Sequence, residues 1–101
     1  MAKSIIQTDR QRCYICGGYE QYGDPLDEHH VFNGNPNRAL SEKYGLKVYI
    51  HHNRCHIFGK QSVHQNADVD NALKAKVQQL AMQHYGWTVD DFRRIFGKSY
   101  I

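Results

Sequence analysis

The sequence has no long apolar stretch, and runs such as residues 48–50 fall far short of the roughly 20 residues that cross a bilayer. Residues 1–12 lack the apolar segment of a secretory signal, and residues 1–11 form a polar lead-in that is either an edge strand or a loose arm. Internal repeats and low-complexity segments are also missing. We therefore expect a soluble, cytoplasmic protein with a single domain in its 101 residues.

Cysteine is scarce and odd in number, with only Cys13, Cys16 and Cys55. An odd count fits poorly with a closed disulfide framework and better with thiolates bound to a metal ion. A strong excess of one charge is missing too, since the formal net charge is +3 at pH 7. This balance permits a polyanionic partner but does not indicate one, because many proteins that never bind nucleic acid are equally basic.

The first half of the chain contains a tight turn and two predicted strands. In residues 13–18, two glycines permit positive φ and let backbone N–H groups point at the cysteine sulfur atoms. A strand is predicted over residues 26–32, because the Asn-Gly-Asn-Pro sequence of residues 33–36 is a concentrated turn signal. A second strand is predicted over residues 46–50, which include Val, Tyr and Ile.

Three helices are predicted from periodicity and end signals. A short one covers residues 37–44, with a glycine just beyond it. The longest begins near Asn66 or Asp68 and ends at Gly86, because apolar residues recur between them at three- and four-residue steps. Thr88, with an aspartate three residues later, resembles a capping box and opens the last helix. Residues 51–64 are too irregular to assign.

Two pairs of ligands predict a structural zinc site. Cys13 and Cys16 have the spacing of zinc ribbons, and His52 and Cys55 repeat that spacing. Four such ligands fill a tetrahedral zinc ion and leave no open position, which is typical of a structural site. His51 is the alternative to His52. A redox Cys-x-x-Cys or two unrelated cysteines are the competing interpretations, but the chain lacks the βαβ pattern of a thioredoxin-like fold.

Histidine is concentrated in residues 27–64, which hold six of the seven histidines. With one of them assigned to zinc, four others stand near Asp27 and Glu28, which are candidates for orienting their rings. These four are His29, His30, His56 and His64. Imidazole binds transition metals and moves protons near neutral pH. The cluster therefore predicts a second, open site with a divalent cation and a free imidazole as general base.

The ordered set of these motifs resembles the HNH nucleases, whose fold is the ββα-metal finger. The matching parts are Cys13-x-x-Cys16, His29-His30-Val31-Phe32, the strand of residues 46–50 and His52-x-x-Cys55-His56. The phrase Glu-His-His-Val-Phe at residues 28–32 looks like the small HNH proteins that phages and prophages encode. The resemblance implies an α+β fold: a zinc knuckle and ββα-metal core over residues 13–66, with added helices over residues 67–101.

Site roles follow from the same resemblance. It implies that His29 and His56 bind the catalytic ion, that His64 is a third ligand brought round by a loop, and that His30 is the general base, held by a backbone carbonyl. The second zinc pair of the family is normally two cysteines, whereas His52 stands in the first position here. The family's middle asparagine has no clear equivalent. The candidates are Asn33, Asn35, Asn37 and Asn53.

The function that the resemblance implies is a metal-dependent DNA endonuclease, with a nickase as one form of that activity. Mg²⁺ or Mn²⁺ is the expected working ion, and Ni²⁺ or Zn²⁺ also suits histidine ligands. Basic residues near the site are the expected DNA contacts: Arg38, Lys43, Lys47, Arg54 and Lys60. The alternatives are a non-catalytic zinc-finger module that binds DNA or protein, and an adaptor in a phage recombination or packaging complex. A homodimer, or phage recombination or packaging proteins, are the further candidate partners. The expected location is the cytoplasm, which is that of a bacterial host cell if a phage or prophage encodes the protein.

Overall fold

Two antiparallel strands carry several of the side chains discussed below. The computed structural model describes residues 3–57, 59–60 and 62–101, so that Met1 and Ala2 of the predicted lead-in lie outside it. Strand β1 (Leu26–His30) pairs with β2 (Lys47–His51) in a register that sets Leu26 opposite His51 and His30 opposite Lys47. Within the described residues, the sheet has only these two strands, and its position agrees with the sequence prediction.

The first strand is shorter than predicted because Phe32 turns away from the sheet into the core. Its backbone N–H donates to Ser41 Oγ at 3.1 Å, and Ser41 Oγ donates to the Phe32 carbonyl at 2.6 Å. The Phe32 ring packs against Phe92 and Phe96 with centroids 5.2 and 5.0 Å away. A buried serine and an aromatic cluster therefore end β1 two residues earlier than the sequence predicts.

Helix α1 (Asn37–Tyr44) joins the strands and has the predicted bounds. Gly45 ends it with φ of 72°, and a side chain there would collide with the Lys3 carbonyl oxygen. The N-terminal segment passes this close because Ile5 N–H donates to the Gly45 carbonyl at 2.9 Å. Further along, the Tyr49 N–H donates to the Gln7 side chain at 2.7 Å. Residues 3–11 thus lie beside β2 without forming a regular strand.

After β2 the chain forms a short π-helical segment (His52–Ile57), which the sequence did not predict. Helix α2 (Ala67–Tyr85) is capped by the Asn66 side chain, which accepts hydrogen bonds from two N–H groups of the first turn. Helix α3 (Val89–Phe96) begins with the predicted capping box of Thr88 and Asp91, in which both reciprocal hydrogen bonds form. The predicted start of each helix is therefore confirmed, as is the predicted end of α2 at Gly86.

The core is a cluster of buried side chains from the N-terminal turn, the two residues after β1, strand β2 and the last two helices. It includes Cys13, Val48 and Ile50, with Val77 from α2 and Phe92 from α3, all at 2% exposure or less. The fold is therefore α+β, as the sequence indicates. Among the described residues, every helix is too short or too polar to span a lipid bilayer.

Candidate metal centres

The three cysteines and one histidine converge at the junction of the N-terminal turn and the end of β2. Their ligand atoms all lie within 4.8 Å of one another, and the residues are Cys13, Cys16, His51 and Cys55. The His51 Nδ1 atom is 3.3 Å from Cys16 Sγ and 3.9 Å from Cys55 Sγ. Sulfur ligands of tetrahedral zinc stand about 3.8 Å apart, so that this donor set fits a zinc ion closely.

The histidine in this cluster is His51, and the prediction of His52 as the ligand is wrong. Side chains alternate along β2, which places His51 on the same face as Tyr49. The His51 Nε2–H donates to the Tyr19 carbonyl at 2.8 Å, which leaves Nδ1 as the atom that faces the thiols. His52 instead lies near β1, with Nδ1 2.6 Å from Asp27 Oδ2.

The local geometry explains why the zinc-ribbon spacing was misleading. His51 and Cys55 are four residues apart, and the π-helical segment between them brings their side chains together. In the Cys13–Cys16 turn, the Cys16 N–H lies 3.5 Å from Cys13 Sγ. This agrees with the prediction that backbone N–H groups of the turn point at the cysteine sulfur atoms. Gly18 packs against the His51 ring, where a Cβ would stand 3.3 Å from Cε1.

Two thiols of the cluster, Cys13 and Cys55, have pKa values shifted in opposite directions. Burial raises the pKa of Cys13, but hydrogen bonds from the Cys16 and His51 backbone outweigh it and bring the value down to about 7. Burial raises the pKa of Cys55, and the adjacent Cys13 and Cys16 raise it further. Thiolates this close repel one another, and a divalent cation between them would offset that repulsion.

A second cluster consists of His29, His56 and His64, whose ligand atoms also lie within 4.8 Å of one another. The ring centroid of His56 is 5.0 Å from that of His29 and 4.8 Å from that of His64. His29 is only 4% exposed, and its Nε2 atom has no hydrogen-bond partner within the described part of the chain. A buried nitrogen without a partner is costly, and a bound cation is one way to satisfy it.

The charge state of His29 also suits a metal ligand. Burial lowers its pKa to about 3, and repulsion from His56 and His64 acts in the same direction. The ring is therefore neutral at physiological pH and presents a lone pair to its neighbours.

His64 reaches the cluster because residues 62–64 fold back along the π-helical segment. The Val63 N–H donates to the Cys55 carbonyl at 2.9 Å, and the His64 N–H donates to the His56 carbonyl at 3.1 Å. Gly59 permits the reversal, since a Cβ at this position would collide with the Arg54 carbonyl oxygen. The eight-residue separation of His56 and His64 is thus closed by backbone hydrogen bonds.

The Asp27 carboxylate on β1 contacts two histidines of the π-helical segment. Its Oδ2 atom is 2.8 Å from His56 Nδ1 and 2.6 Å from His52 Nδ1. Burial raises the pKa of Asp27, but the hydrogen bonds from His56 and His52 lower it by more, so that it stays a carboxylate. With Nδ1 of His56 facing Asp27, Nε2 is the nitrogen left to bind a cation beside His29.

His30 lies on the opposite face of β1 from His29, as the strand alternation predicted. Its Nε2 atom is 3.1 Å from Glu42 Oε1 and 3.9 Å from Glu28 Oε1. Glu42 was not identified from the sequence. The sequence places Glu42 in the predicted helix, within the Ser-Glu-Lys-Tyr-Gly sequence of residues 41–45, but nothing in that position indicates a contact with His30.

Within the described part of the chain, His30 Nε2 is hydrogen-bonded to the Glu42 carboxylate and not to the expected backbone carbonyl or an asparagine. Among the candidate asparagines, Asn37 Nδ2 donates to the Phe96 carbonyl and Asn53 Nδ2 donates to the Gly23 carbonyl. Asn33 lines a cavity beside the histidines, and Asn35 precedes a cis proline. The side chain hydrogen-bonded to His30 Nε2 is thus acidic.

His29 and His30 both reach one cavity of about 670 Å³. Its walls include three consecutive residues of β1 and none of β2, so that it runs along the unpaired edge of β1. The histidines that line it are His29, His30, His56 and His64. An edge strand lets side chains from both faces approach the same space, which explains how neighbours on opposite faces converge.

The predicted DNA contacts divide into exposed and buried residues. Arg38 is exposed and lines the cavity, while Lys43, Arg54 and Lys60 are exposed on the surface. Lys47 is 2% exposed, and its ammonium lies 2.8 Å from Glu42 Oε2 and 3.4 Å from Glu28 Oε2. The prediction that Lys47 contacts DNA is therefore wrong, since its charge is buried in an ion-pair network.

No protein-family model matches the chain, and no curated protein or solved structure shows a significant match to it.

Proposed function

We propose that the protein is a metal-dependent DNA endonuclease of the HNH kind, with a structural zinc ion at the cysteine cluster and a working cation at the histidine cluster. The order of elements supports this proposal. Two antiparallel strands are followed by a helical region, and the ligands come from the first strand and from the segment after the second. That is the arrangement expected of a ββα-metal finger.

The observation that carries the proposal is the buried Nε2 atom of His29. It lacks a hydrogen-bond partner in the described residues, and it belongs to a group of three imidazoles within metal-binding distance. His30 lines the same cavity and is not part of that group. Three ligands and a separate imidazole are the components that an open hydrolytic site requires.

These residues divide the work of hydrolysis between them. His29, His56 and His64 would hold a divalent cation, which supplies positive charge to the phosphoryl and leaving oxygens when bound. His30 would accept the proton of the attacking water, and Asp27 would fix the orientation of the His56 ring. Arg38, which lines the cavity and is exposed, would contact a phosphate next to the cleaved one.

The choice of ion follows from the ligands. Mg²⁺ prefers oxygen and keeps several waters, whereas Mn²⁺, Ni²⁺ and Zn²⁺ accept imidazole nitrogen more readily. A site with three imidazoles therefore favours Mn²⁺ or Ni²⁺ over Mg²⁺ in binding, although the ion that supports the fastest cleavage need not bind most tightly.

A plasmid cleavage assay tests the proposal. Zinc-loaded protein is mixed with supercoiled plasmid and with Mg²⁺, Mn²⁺ or Ni²⁺ in turn, and nicked and linear products are quantified. Cleavage is expected with at least one ion. His30→Ala is expected to lower the rate by about 10² to 10⁴, the usual contribution of a general base.

The matched control is His84→Ala, which removes an imidazole from the exposed part of α2, where it packs on Tyr85. This variant should cleave as the unsubstituted protein does. Folded, zinc-loaded protein that cuts with none of the three ions contradicts the proposal and favours a non-catalytic zinc-finger module or an adaptor. So does a His30→Ala variant with undiminished activity. A homodimer and phage recombination or packaging partners stay predictions.

A further inference from the structure

The contact between Glu42 and His30 joins helix α1 to the end of strand β1. His30 is the last residue of β1 and faces the cavity, while Glu42 is in the last turn of α1. The 3.1 Å separation of His30 Nε2 and Glu42 Oε1 is a hydrogen bond between side chains that are 10% and 29% exposed. Partial burial strengthens such a bond relative to the same pair in water.

Lys47 fixes the position of Glu42. Its side chain is 3% exposed, and its ammonium donates to Glu42 Oε2 at 2.8 Å, so that the two oxygens of Glu42 contact different partners. Lys47 also lies 3.4 Å from Glu28 Oε2. The Lys47 ammonium thus already provides a cation between Glu28 and Glu42, and these carboxylates have no need of a metal ion.

The chemistry of the hydrogen bond selects one form of the His30 ring. The bonds to Lys47 and then to His30 lower the pKa of Glu42 to about 2, so that it is a carboxylate and only accepts hydrogen bonds. His30 Nε2 must therefore carry the proton. In the neutral ring, Nδ1 is then the nitrogen with the lone pair, and it is the atom able to accept a proton from water.

We propose that Glu42 is a positioning residue for the general base: it holds the His30 ring in the Nε2–H tautomer, with Lys47 fixing Glu42 in turn, so that Nδ1 is the basic atom. This inference rests on the proposed function, because it assigns an atom to the base of that reaction. Glu42 would thus orient the base in place of the family's middle asparagine, which has no clear equivalent in this sequence.

Three variants test it. Glu42→Ala removes the acceptor, and Glu42→Gln keeps an oxygen that can accept from Nε2–H. Glu28→Gln removes a charge 3.9 Å from the same nitrogen, a distance too long for a hydrogen bond to it. Each is prepared with zinc, checked by thermal unfolding, and assayed under single-turnover conditions with saturating Mn²⁺. The second readout is the His30 tautomer, determined from the imidazole ¹⁵N chemical shifts.

Glu42→Ala is expected to slow the cleavage step by about tenfold to a hundredfold, with little change in DNA affinity. Its ¹⁵N shifts should show a mixture of His30 tautomers, where the unsubstituted protein shows the Nε2–H form. Glu42→Gln should retain more of the rate than Glu42→Ala does, and Glu28→Gln should slow cleavage less than either Glu42 variant. Recovery in the Gln variant is not expected of a residue that only stabilises the fold.

A Glu42→Ala protein with the normal cleavage rate and the normal tautomer overturns the inference, provided that His30→Ala is inactive. If Glu42→Ala fails to fold, the comparison of Glu42→Gln with Glu28→Gln decides the matter, and equal losses in the two contradict a hydrogen-bonded role. If His30→Ala cleaves normally, the proposed function fails, and the ¹⁵N shifts alone decide whether Glu42 fixes the ring.

Discussion

The Nδ1 atom of His56 lies 2.8 Å from Oδ2 of Asp27, while the rest of the His56 ring faces His29 and His64. A carboxylate that accepts from one imidazole nitrogen leaves the other one to bind a cation and makes it more basic. Asp27 lies two residues before His29 on the same strand, so that β1 provides both a proposed ligand and the group that orients a second ligand.

Asp27→Asn is expected to lower the affinity of the histidine cluster for Mn²⁺ by about tenfold to a hundredfold, because the amide is a weaker acceptor for His56. Electron paramagnetic resonance titration of free Mn²⁺ measures this affinity without an activity assay. Asp90→Asn, which removes an exposed carboxylate on α3, is the control and should bind as the unsubstituted protein does. Equal affinities in all three proteins would show that Asp27 does not act on the cation site.

His51→Ala and His52→Ala separate the two candidate zinc ligands. His51→Ala should lose zinc or unfold at a lower temperature, since the cluster then has three protein ligands. His52→Ala should keep one zinc per chain, because its ring contacts Asp27 instead. Elemental analysis after dialysis against a weak chelator gives the stoichiometry. Zinc retained by His51→Ala and lost by His52→Ala would reverse the assignment.

Replacement of Lys47 should change the stability of the fold, whereas replacement of Arg38 should change the salt dependence of DNA affinity. Lys47→Met leaves Glu42 and Glu28 without their buried cation and is expected to destabilise the fold by about 2 kcal/mol, with the salt dependence of DNA affinity unchanged. Arg38→Ala should leave stability nearly unchanged and reduce the slope of log affinity against log salt by about one. Fluorescence anisotropy with labelled duplex at several salt concentrations, paired with denaturant unfolding, distinguishes them. A reduced salt slope for Lys47→Met would mean that its charge reaches DNA.

Glu42 should make stability depend on pH. Its pKa is lowered from the ordinary 4.5 to about 2, chiefly by the hydrogen bond from Lys47, so that the folded protein favours the carboxylate. This stabilisation is complete above pH 4.5 and is lost as the pH falls toward 2. The unsubstituted protein should therefore exceed Glu42→Gln in Tm at pH 6, and the gap should narrow between pH 4.5 and pH 3. A gap that widens with acid would contradict the ion pair.

Local features of the fold were predictable from the sequence, and features that depend on tertiary contacts were not. The helix ends at Gly45 and Thr88 are signalled by residues close to them in the sequence, and both are confirmed. The end of β1 depends on Ser41, which is nine residues away in the chain. The sequence of β1 alone therefore does not predict where the strand ends.

The candidate sites show the same division. The convergence of His29 with His56 and His64 was expected from the resemblance, and the structure brings the three together. The choice between His51 and His52 required the direction of each side chain at the end of β2, which spacing alone does not give. The burial of Lys47 and its contact with Glu42 required the packing of α1 against the sheet.

Anomalous diffraction from crystals of the zinc-loaded protein soaked in Mn²⁺ tests the two-ion arrangement most directly. Data on either side of the zinc and manganese absorption edges place each element separately. The expected result is zinc between Cys13, Cys16, His51 and Cys55, and manganese bonded to His29 Nε2, His56 and His64, with His30 free of metal. A manganese peak on His30, or none at the histidine cluster at saturating Mn²⁺, would contradict it.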